Sequence, residues 1–405
     1  MSVPRSVAEV PAYGADRADR AAQVESAVAP RRRRIVIIGN MLETLVWFRG
    51  PLMRTLVDQG HEVIACVPAP NPGSPQAGEL EALGARLEPI HLERAGANPF
   101  ADIYTIWSLV GLLRRLRPDM VLAYTIKPVI YGSLAARIAG VPAVCSIVEG
   151  IGYAFSGEGL RRTTLRAMVK LLYRVALSGN RRVFFLNPDN KRLFEDLGLV
   201  RRSDQAVLLG GIGVDLDRFM PAPLPATVTF LLIARLLRDK GVPEFVEAAR
   251  IVKARHPDVR FRLVGWIDAN PMALREAELR AWIEEGVIEY LGKLDDVRPA
   301  LADASVFVLP SYYPEGQPRS IMEAMATARP VITTDTAGCR ETVVEGLNGF
   351  LLPARDVPAL VQAMLRFIER PELIKSMGRE SRHIAEAKYD VHRINQRIIE
   401  EIGLA

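Results

Sequence analysis

Cysteine is scarce in this chain: Cys66, Cys145 and Cys339 are the only three in 405 residues. An odd number at wide spacing excludes a disulfide framework or a paired-thiolate metal motif, and it fits a reducing compartment. The five histidines (His61, His91, His256, His383, His392) show no metal-ligand spacing and read as packing or surface residues. No metal and no bound cofactor is therefore expected. Long apolar runs are missing as well. A membrane span needs roughly 20 apolar residues, and the nearest candidate, Val129 to Val148, is broken by Arg137 and by glycines. Residues 1–33 are rich in Ala, Arg, Asp and Pro, lack an apolar h-region, and read as a disordered leader rather than a signal peptide. Aromatic residues make up 7% and do not interleave with the basic ones as stacking platforms would. Nucleic acid is therefore not expected as a partner. The expectation is a cytoplasmic protein, soluble or peripheral at the inner face of a membrane.

Apolar residues are plentiful at 49%, enough for sizeable cores. Charge is uneven. Residues 1–219 hold 28 Lys and Arg against 21 Asp and Glu, whereas residues 220–405 hold 24 against 26. The first half can thus face something anionic, and a membrane surface or a phosphorylated lipid fits best.

Short apolar runs alternate with helical spacing along the chain. Ile35–Gly39, Glu62–Val67, Leu87–Leu92 and Met120–Ala123 read as strands; Trp47–Gln59, Ile103–Leu116 and Tyr131–Ala139 read as helices. The pattern restarts with strands at Thr229–Ala234, Arg260–Val264, Ile288–Leu291, Val306–Leu309 and Pro330–Thr333. Such alternation predicts an α/β protein with two doubly wound parallel sheets. The stiff stretch Pro221 to Pro225 reads as the connection between them. Two such sheets place the carboxyl ends of their strands around a shared cleft, where ligands of these folds bind.

Two motifs carry chemistry. In Pro314-Glu315-Gly316-Gln317-Pro318-Arg319-Ser320-Ile321-Met322-Glu323, a buried strand precedes and a helix follows. Pro318 suits a helix start, and the first backbone N–H groups, Arg319 to Ile321, then form an anion site. Glu315 and Glu323 flank that site and suit sugar or ribose hydroxyls. Alone, each is as well explained as a solvated turn residue or a partner of the helix dipole. The second motif, Arg235-Leu-Leu-Arg-Asp-Lys240-Gly241, offers two cations and a glycine for a diphosphate after the strand 229–234. Alone it would be a charged surface loop; the two together are far more specific.

With these motifs the chain closely resembles the retaining glycosyltransferases of the GT-B fold, the group 1 / family 4 type, in the CapM/PglA-like subgroup. Further matching pieces are Gly338-Cys-Arg-Glu-Thr, Glu345-Gly-Leu-Asn-Gly-Phe350, Asn98-Pro99-Phe100, Thr125-Ile-Lys-Pro128, Gly132-Ser-Leu-Ala-Ala-Arg137, Gly150-Ile-Gly-Tyr-Ala-Phe155 and Gly213-Val-Asp-Leu-Asp-Arg-Phe219. They run through roughly residues 34 to 390. The resemblance implies an acceptor domain over 34–218, a donor domain over 219–382, and a last helix, 391–402, crossing back onto the first. It implies that Arg235 and Lys240 neutralise the donor diphosphate, and that Glu323 holds the ribose. Glu315, Gly316 and Gln317 would hold the donor sugar, with Ser320 and Gly265 also lining the donor site. Gly39 would let the acceptor-domain loop come close. It further implies retention of configuration without a metal, protein cations taking its place. Many relatives carry a histidine before the glycine at 150; here that position is Glu149, which can accept a hydroxyl or stabilise a developing positive charge. The implied reaction moves a hexose or N-acetylhexosamine, UDP-linked, onto a polyprenyl-diphosphate-linked saccharide for exopolysaccharide, capsule or O-antigen assembly.

Arg162, Arg166, Lys170 and Arg174 recur every four residues in the stretch 160–177. They drift only about 40° per step along one helical side, opposite Leu165, Met168, Val169, Leu172 and Val175. An ordinary solvated face and a face docked on an anionic leaflet both fit. Two rival functions stand beside this one: a UDP-sugar epimerase of the same fold, which would need histidines in the cleft loops, and a non-catalytic two-domain sugar-binding protein of the periplasmic type.

Overall fold

The computed structural model describes residues 32–71, 73–93, 98–150, 160–202, 204–268, 270 and 272–404, and for residues 160–163 the backbone alone. Residues 1–31 of the leader, the motif residues 151–155 and the Arg162 side chain lie outside them.

The first sheet holds seven strands: β1 (Arg34–Ile38), β2 (Glu62–Pro68), β3 (Arg86–Ile90), β4 (Met120–Tyr124), β5 (Ala143–Val148), β6 (Arg182–Phe185) and β7 (Ala206–Leu208). Their order is β3-β2-β1-β4-β5-β6-β7, and every pair is parallel. The second holds β8 (Thr229–Ile233), β9 (Arg260–Val264), β10 (Glu289–Tyr290), β11 (Val306–Leu309), β12 (Val331–Thr334) and β13 (Gly349–Leu352), ordered β10-β9-β8-β11-β12-β13. Both are doubly wound, with the order reversing between β1 and β4 in one sheet and between β8 and β11 in the other. Continuous apolar runs build the centres because helices cover both faces. Ile35, Val36, Ile37 and Ile38 are all fully buried, as are Val306 to Leu309.

The crossovers in the first half are α1 (Leu42–Asp58), α2 (Pro75–Ala82), α3 (Pro99–Leu116), α4 (Ser133–Ala139), α5 (Leu160–Leu177) and α6 (Pro188–Asp196). In the second half they are α7 (Val242–Lys253), α8 (Glu276–Glu284), α9 (Arg298–Ala302), α10 (Arg319–Ala326), α11 (Val357–Glu369) and α12 (Glu372–Lys388), followed by α13 (Val391–Ile402). α3 begins four residues before the expected start because Asn98 caps it, its side chain accepting from the Phe100 N–H, with Pro99 in the first turn. β5, β6, β7 and β13 were not expected. β7 has only three residues, and β5 sits inside the long apolar stretch that hides its ends. That stretch divides into a π-helical turn at Pro128–Gly132, then α4, then β5.

Pro221 to Pro225 forms no regular element, but it is tied down. Arg329, 1% exposed, donates to the carbonyls of Ala222 and Pro223 at 2.9 Å each. After α12 the chain returns to the first half. Val214 N–H donates to Tyr389 O and Val391 N–H to Val214 O. α13 then packs on α1 through its apolar face, burying Ile394, Ile398 and Ile399. Glu401 on α13 pairs with Arg182 at the start of β6, 3.0 Å away.

Candidate active site

The carboxyl ends of both sheets face each other, and the motif residues gather at the two points where strand order reverses. Arg235 follows β8, and the loop from Ser311 to Pro318 follows β11. Lys240 ends a short 3-10 turn, Arg238–Lys240, and reaches the Glu315 carboxylate (Nζ to Oε1, 2.6 Å). Ser311 Oγ lies 2.7 Å from the same oxygen. Both partners are more than nine-tenths buried. Arg235 pairs with Asp268 at 2.8 Å, and the cations of Arg235 and Lys240 lie 5.6 and 5.0 Å from the Tyr313 ring centroid. The two expected cations are thus together over one aromatic face, each already beside a carboxylate.

α10 begins one residue later than expected. Pro318 is its N-cap, with an extended ψ of 116°, and Arg319 is the first helical residue. The Ile321 N–H does not face the cleft as expected; it returns to the Pro318 carbonyl at 3.2 Å. The first-turn donors left over are those of Arg319 and Ser320, the latter half-buried. Glu323, in the second turn, is buried and accepts from Arg319 Nε at 2.7 Å. Burial raises its pKa above the ordinary carboxylate value even with Arg319 beside it.

The first half supplies the opposite wall. Glu149 follows β5, and its Oε1 receives Arg49 Nη2 at 2.6 Å. Arg49, on α1, is fully buried and stacks 5.4 Å from the Tyr124 ring centroid. Burial raises the Glu149 carboxyl, outweighing the opposing pull of Arg49. Asn187 donates to the carbonyls of Glu315 (3.1 Å) and Gly316, and Asn190 donates to Glu315 O at 3.3 Å. A Cβ at Gly316 would stand 1.6 Å from the Glu149 carbonyl oxygen, so only glycine lets the two walls meet there. Gly39 has a steric reason within the first half. A Cβ there would meet Tyr124 Oη at 2.2 Å, so the glycine makes room for a tyrosine at the first switch point. Gly265 follows β9 with φ +153°, and a Cβ there would stand 1.8 Å from the Ala234 carbonyl, just before Arg235.

Among the buried polar atoms without a protein partner are Arg49 Nε and Nη1, Tyr124 Oη, Thr125 Oγ1 and Gln317 Oε1. Thr125, at the end of β4, also holds a positive φ of 66°, strained for a β-branched residue. Orphaned donors and acceptors of this kind fit a ligand rich in hydroxyls and phosphate oxygens.

Residues 227–370 match the family described as "Glycosyl transferases group 1", and residues 45–211 match the "Glycosyl transferase 4-like domain". The chain is a glycosyltransferase of the GT-B fold. The Campylobacter jejuni N,N'-diacetylbacillosaminyl-diphospho-undecaprenol alpha-1,3-N-acetylgalactosaminyltransferase is 27% identical over 90% of this chain and 97% of its own length. The Escherichia coli UDP-Gal:alpha-D-GlcNAc-diphosphoundecaprenol alpha-1,3-galactosyltransferase is 28% identical over 65% and 70%. The Staphylococcus aureus CapM protein of capsular polysaccharide biosynthesis is 22% identical over 72% and 78%. Among solved structures, sucrose-phosphate synthase from Thermosynechococcus elongatus superposes with a TM-score of 0.76 at 18% identity, covering 91% of this chain and 98% of its own. Anabaena Alr3699/HepE in complex with UDP superposes at 0.71 and 19%, covering 92% and 100%.

Two residues of the glycosyltransferase site were not read from the sequence. Arg49 occupies the core stripe of α1, between Leu45 and Met53 at four-residue spacing; an arginine in an apolar stripe was the available signal. Arg319 was read only for its backbone. Its side chain joins Glu323 to the Trp47 carbonyl of α1 and lies 4.9 Å from the Phe48 ring centroid. Trp47 O is available because Pro51, four residues on, has no N–H to donate.

The basic stripe on α5 also differs from its expectation. Arg166 and Lys170 are half-buried, and Arg174 is exposed but donates to Leu197 O at 2.8 Å. Met168 and Val175, expected on the covered side, are exposed along with Leu171. The reason is that α5 packs on α4 and the π-helical turn, and Tyr173, Ala176 and Leu177 take the core positions. His392 is a surface residue, as expected, but it has acidic neighbours that its sequence context does not show. His392, Asp215 and Asp217 bring ligand atoms within 4.8 Å of one another, since the Val214–Asp390 bridge joins segments far apart in sequence. Asp215 Oδ1 is already engaged there, accepting from the Asp217 and Arg218 N–H groups.

Glu323→Gln tests the burial of this site through pH. A carboxyl whose folded pKa is raised keeps its proton in the fold after the unfolded chain has lost it, so folding stability falls as pH rises through that interval. The Tm of Glu323→Gln relative to wild type is expected to rise with pH across the upper carboxylate range and then level off, as read by scanning fluorimetry.

Proposed function

We propose that this glycosyltransferase transfers a hexose or N-acetylhexosamine from a UDP-sugar to a polyprenyl-diphosphate-linked saccharide, with retention and without a metal. The observation that carries the reading is the buried Lys240–Glu315 pair at the β8/β11 switch point, beside the N-terminus of α10. In it, Lys240 and Arg235 carry the departing diphosphate, assisted by the α10 N–H groups and Ser320, while Glu323 holds the ribose. Glu315, Gly316 and Gln317 hold the sugar, and Glu149 faces it from the first half. Gly39 and Gly265 shape the two loops. Two lysine or arginine charges beside the diphosphate are a substitute for a divalent ion. Support for the acceptor comes from the two relatives named for diphospho-undecaprenol saccharides, and support for exopolysaccharide or capsule assembly from CapM. Both lipid-acting relatives are named for alpha linkages; UDP-linked galactose is itself α, so an α product means retention. The anionic inner face of the membrane is where such an acceptor would be met.

The test is turnover of UDP-, GDP- and dTDP-sugars by the purified protein with polyprenyl-linked acceptors in EDTA, with the anomer of the product read by NMR. Transfer of one UDP-sugar as an α-linked product is expected. A donor isomerised without transfer would favour an epimerase, and no binding of any nucleotide sugar would leave a sugar-binding protein.

Gly316→Ala separates fold from closure. The added methyl meets the Glu149 carbonyl across the cleft and pushes the two walls apart, while each sheet keeps its own strands and helices, so the circular dichroism should be retained. Transfer should fall about 10²-fold, the scale of a misplacement near 1 Å.

A further inference from the structure

α3, α4 and α5 pack side by side as one layer over the first sheet. Large apolar side chains lie exposed in this layer to an unusual degree. Eight of the fourteen exposed large hydrophobics among the described residues belong to these three helices, which is concentration rather than the scatter normal for a surface. On α3 they are Phe100 (84% exposed), Ile103 (54%), Tyr104 (60%) and Trp107 (60%). Their spacing of three, one and three residues puts them on one side of the helix, opposite the buried Thr105, Leu109, Leu113 and Leu116. α5 adds Met168, Leu171 and Val175.

The same layer holds the positive charge of the protein. The three helices contain eight Lys and Arg (Arg114, Arg115, Arg137, Arg161, Arg162, Arg166, Lys170 and Arg174) against one acid, Asp102. The acids that the structure describes from α3 to α5 are engaged: Asp102 with Lys127 at 3.0 Å, Asp119 with the Arg34 N–H at 2.7 Å, and Glu149 with Arg49. Aromatic rings with polar tips, aliphatic neighbours and surplus cations are the chemistry of a surface lying at the headgroup level of an anionic bilayer.

We propose that the outer face of α3, extended by α5, docks this enzyme on an anionic lipid bilayer, with Phe100 and Trp107 as the inserted side chains. This moves the contact from the α5 cations to the aromatic side of α3. It deepens the reading of a membrane-borne acceptor, but vesicle binding itself needs no turnover.

The experiment is co-sedimentation of the full chain with phosphatidylglycerol-containing vesicles and with pure phosphatidylcholine vesicles. Tryptophan emission, compared between wild type and Trp107→Phe because the chain has four tryptophans, and analytical ultracentrifugation accompany it. Wild type should bind the anionic vesicles with a blue shift. Phe100→Ser/Trp107→Ser, at exposed positions, should keep its circular dichroism and thermal melt while vesicle partition drops about tenfold or more. Unchanged partition overturns the proposal. So does wild type that self-associates through these residues and ignores vesicles, which would make the face a contact between copies of the chain. Binding that depends on Phe100 and Trp107 in a protein that moves no sugar would uphold the docking face and sink the acceptor reading.

Discussion

Lys240→Ala is expected to lower kcat by about 10²–10³-fold, the effect of removing one preorganised group from a developing negative charge. The effect is large because the site is dry. Lys240 is 8% exposed and its amine lies 2.6 Å from Glu315. When a diphosphate leaves, the charge it develops meets a cation that needs no reorganisation and little screening. Lys240→Arg is not expected to restore the rate, since the planar guanidinium cannot take the place of a compact ammonium between Glu315 and the Tyr313 ring. Steady-state kinetics with the identified donor check both. A loss confined to KM would mean that Lys240 binds ground state and transition state alike.

The largest expected effect on stability is at Arg49. Arg49→Met leaves the half-buried Glu149 carboxylate without its cation; breaking a fully buried pair costs about 3–5 kcal/mol, and the 19% exposure of the Glu149 side chain places this change at the lower end. Urea denaturation should show it. Glu149→Gln in the same chain removes the stranded charge, so the double variant is expected to recover most of the loss, with the two substitutions coupled by up to about 3 kcal/mol. The double variant also separates two roles. If Glu149 faces the sugar, the protein will be stable and slow; if the pair only fastens α1 to the end of β5, it will be stable and active.

These two residues mark what pattern reading reaches. The strands at the centre of each sheet were legible because they are buried on both sides and therefore continuously apolar. The Lys240 loop and the Glu315-to-Glu323 segment were legible because strand, loop and helix start follow one another directly. Arg49 was not, because its partner lies 100 residues on and its place in the apolar stripe of α1 is the one local signal. β7 and β13 were missed for a related reason. Three or four residues carry no periodicity, and their pairing with β6 and β12 is what makes them strands. The orientation of α5 failed differently. Val169 and Leu172 of the expected apolar side do pack against the core, but Tyr173, Ala176 and Leu177 are the fully buried residues, and the helix is turned so that Met168 and Val175 face outward.

The most direct measurement is a calorimetric titration of UDP into wild type, Lys240→Ala and Glu323→Ala without divalent metal. The account predicts one site per chain for wild type, weakened by both substitutions. UDP bound equally well by all three proteins, or bound only when a divalent ion is supplied, would contradict it.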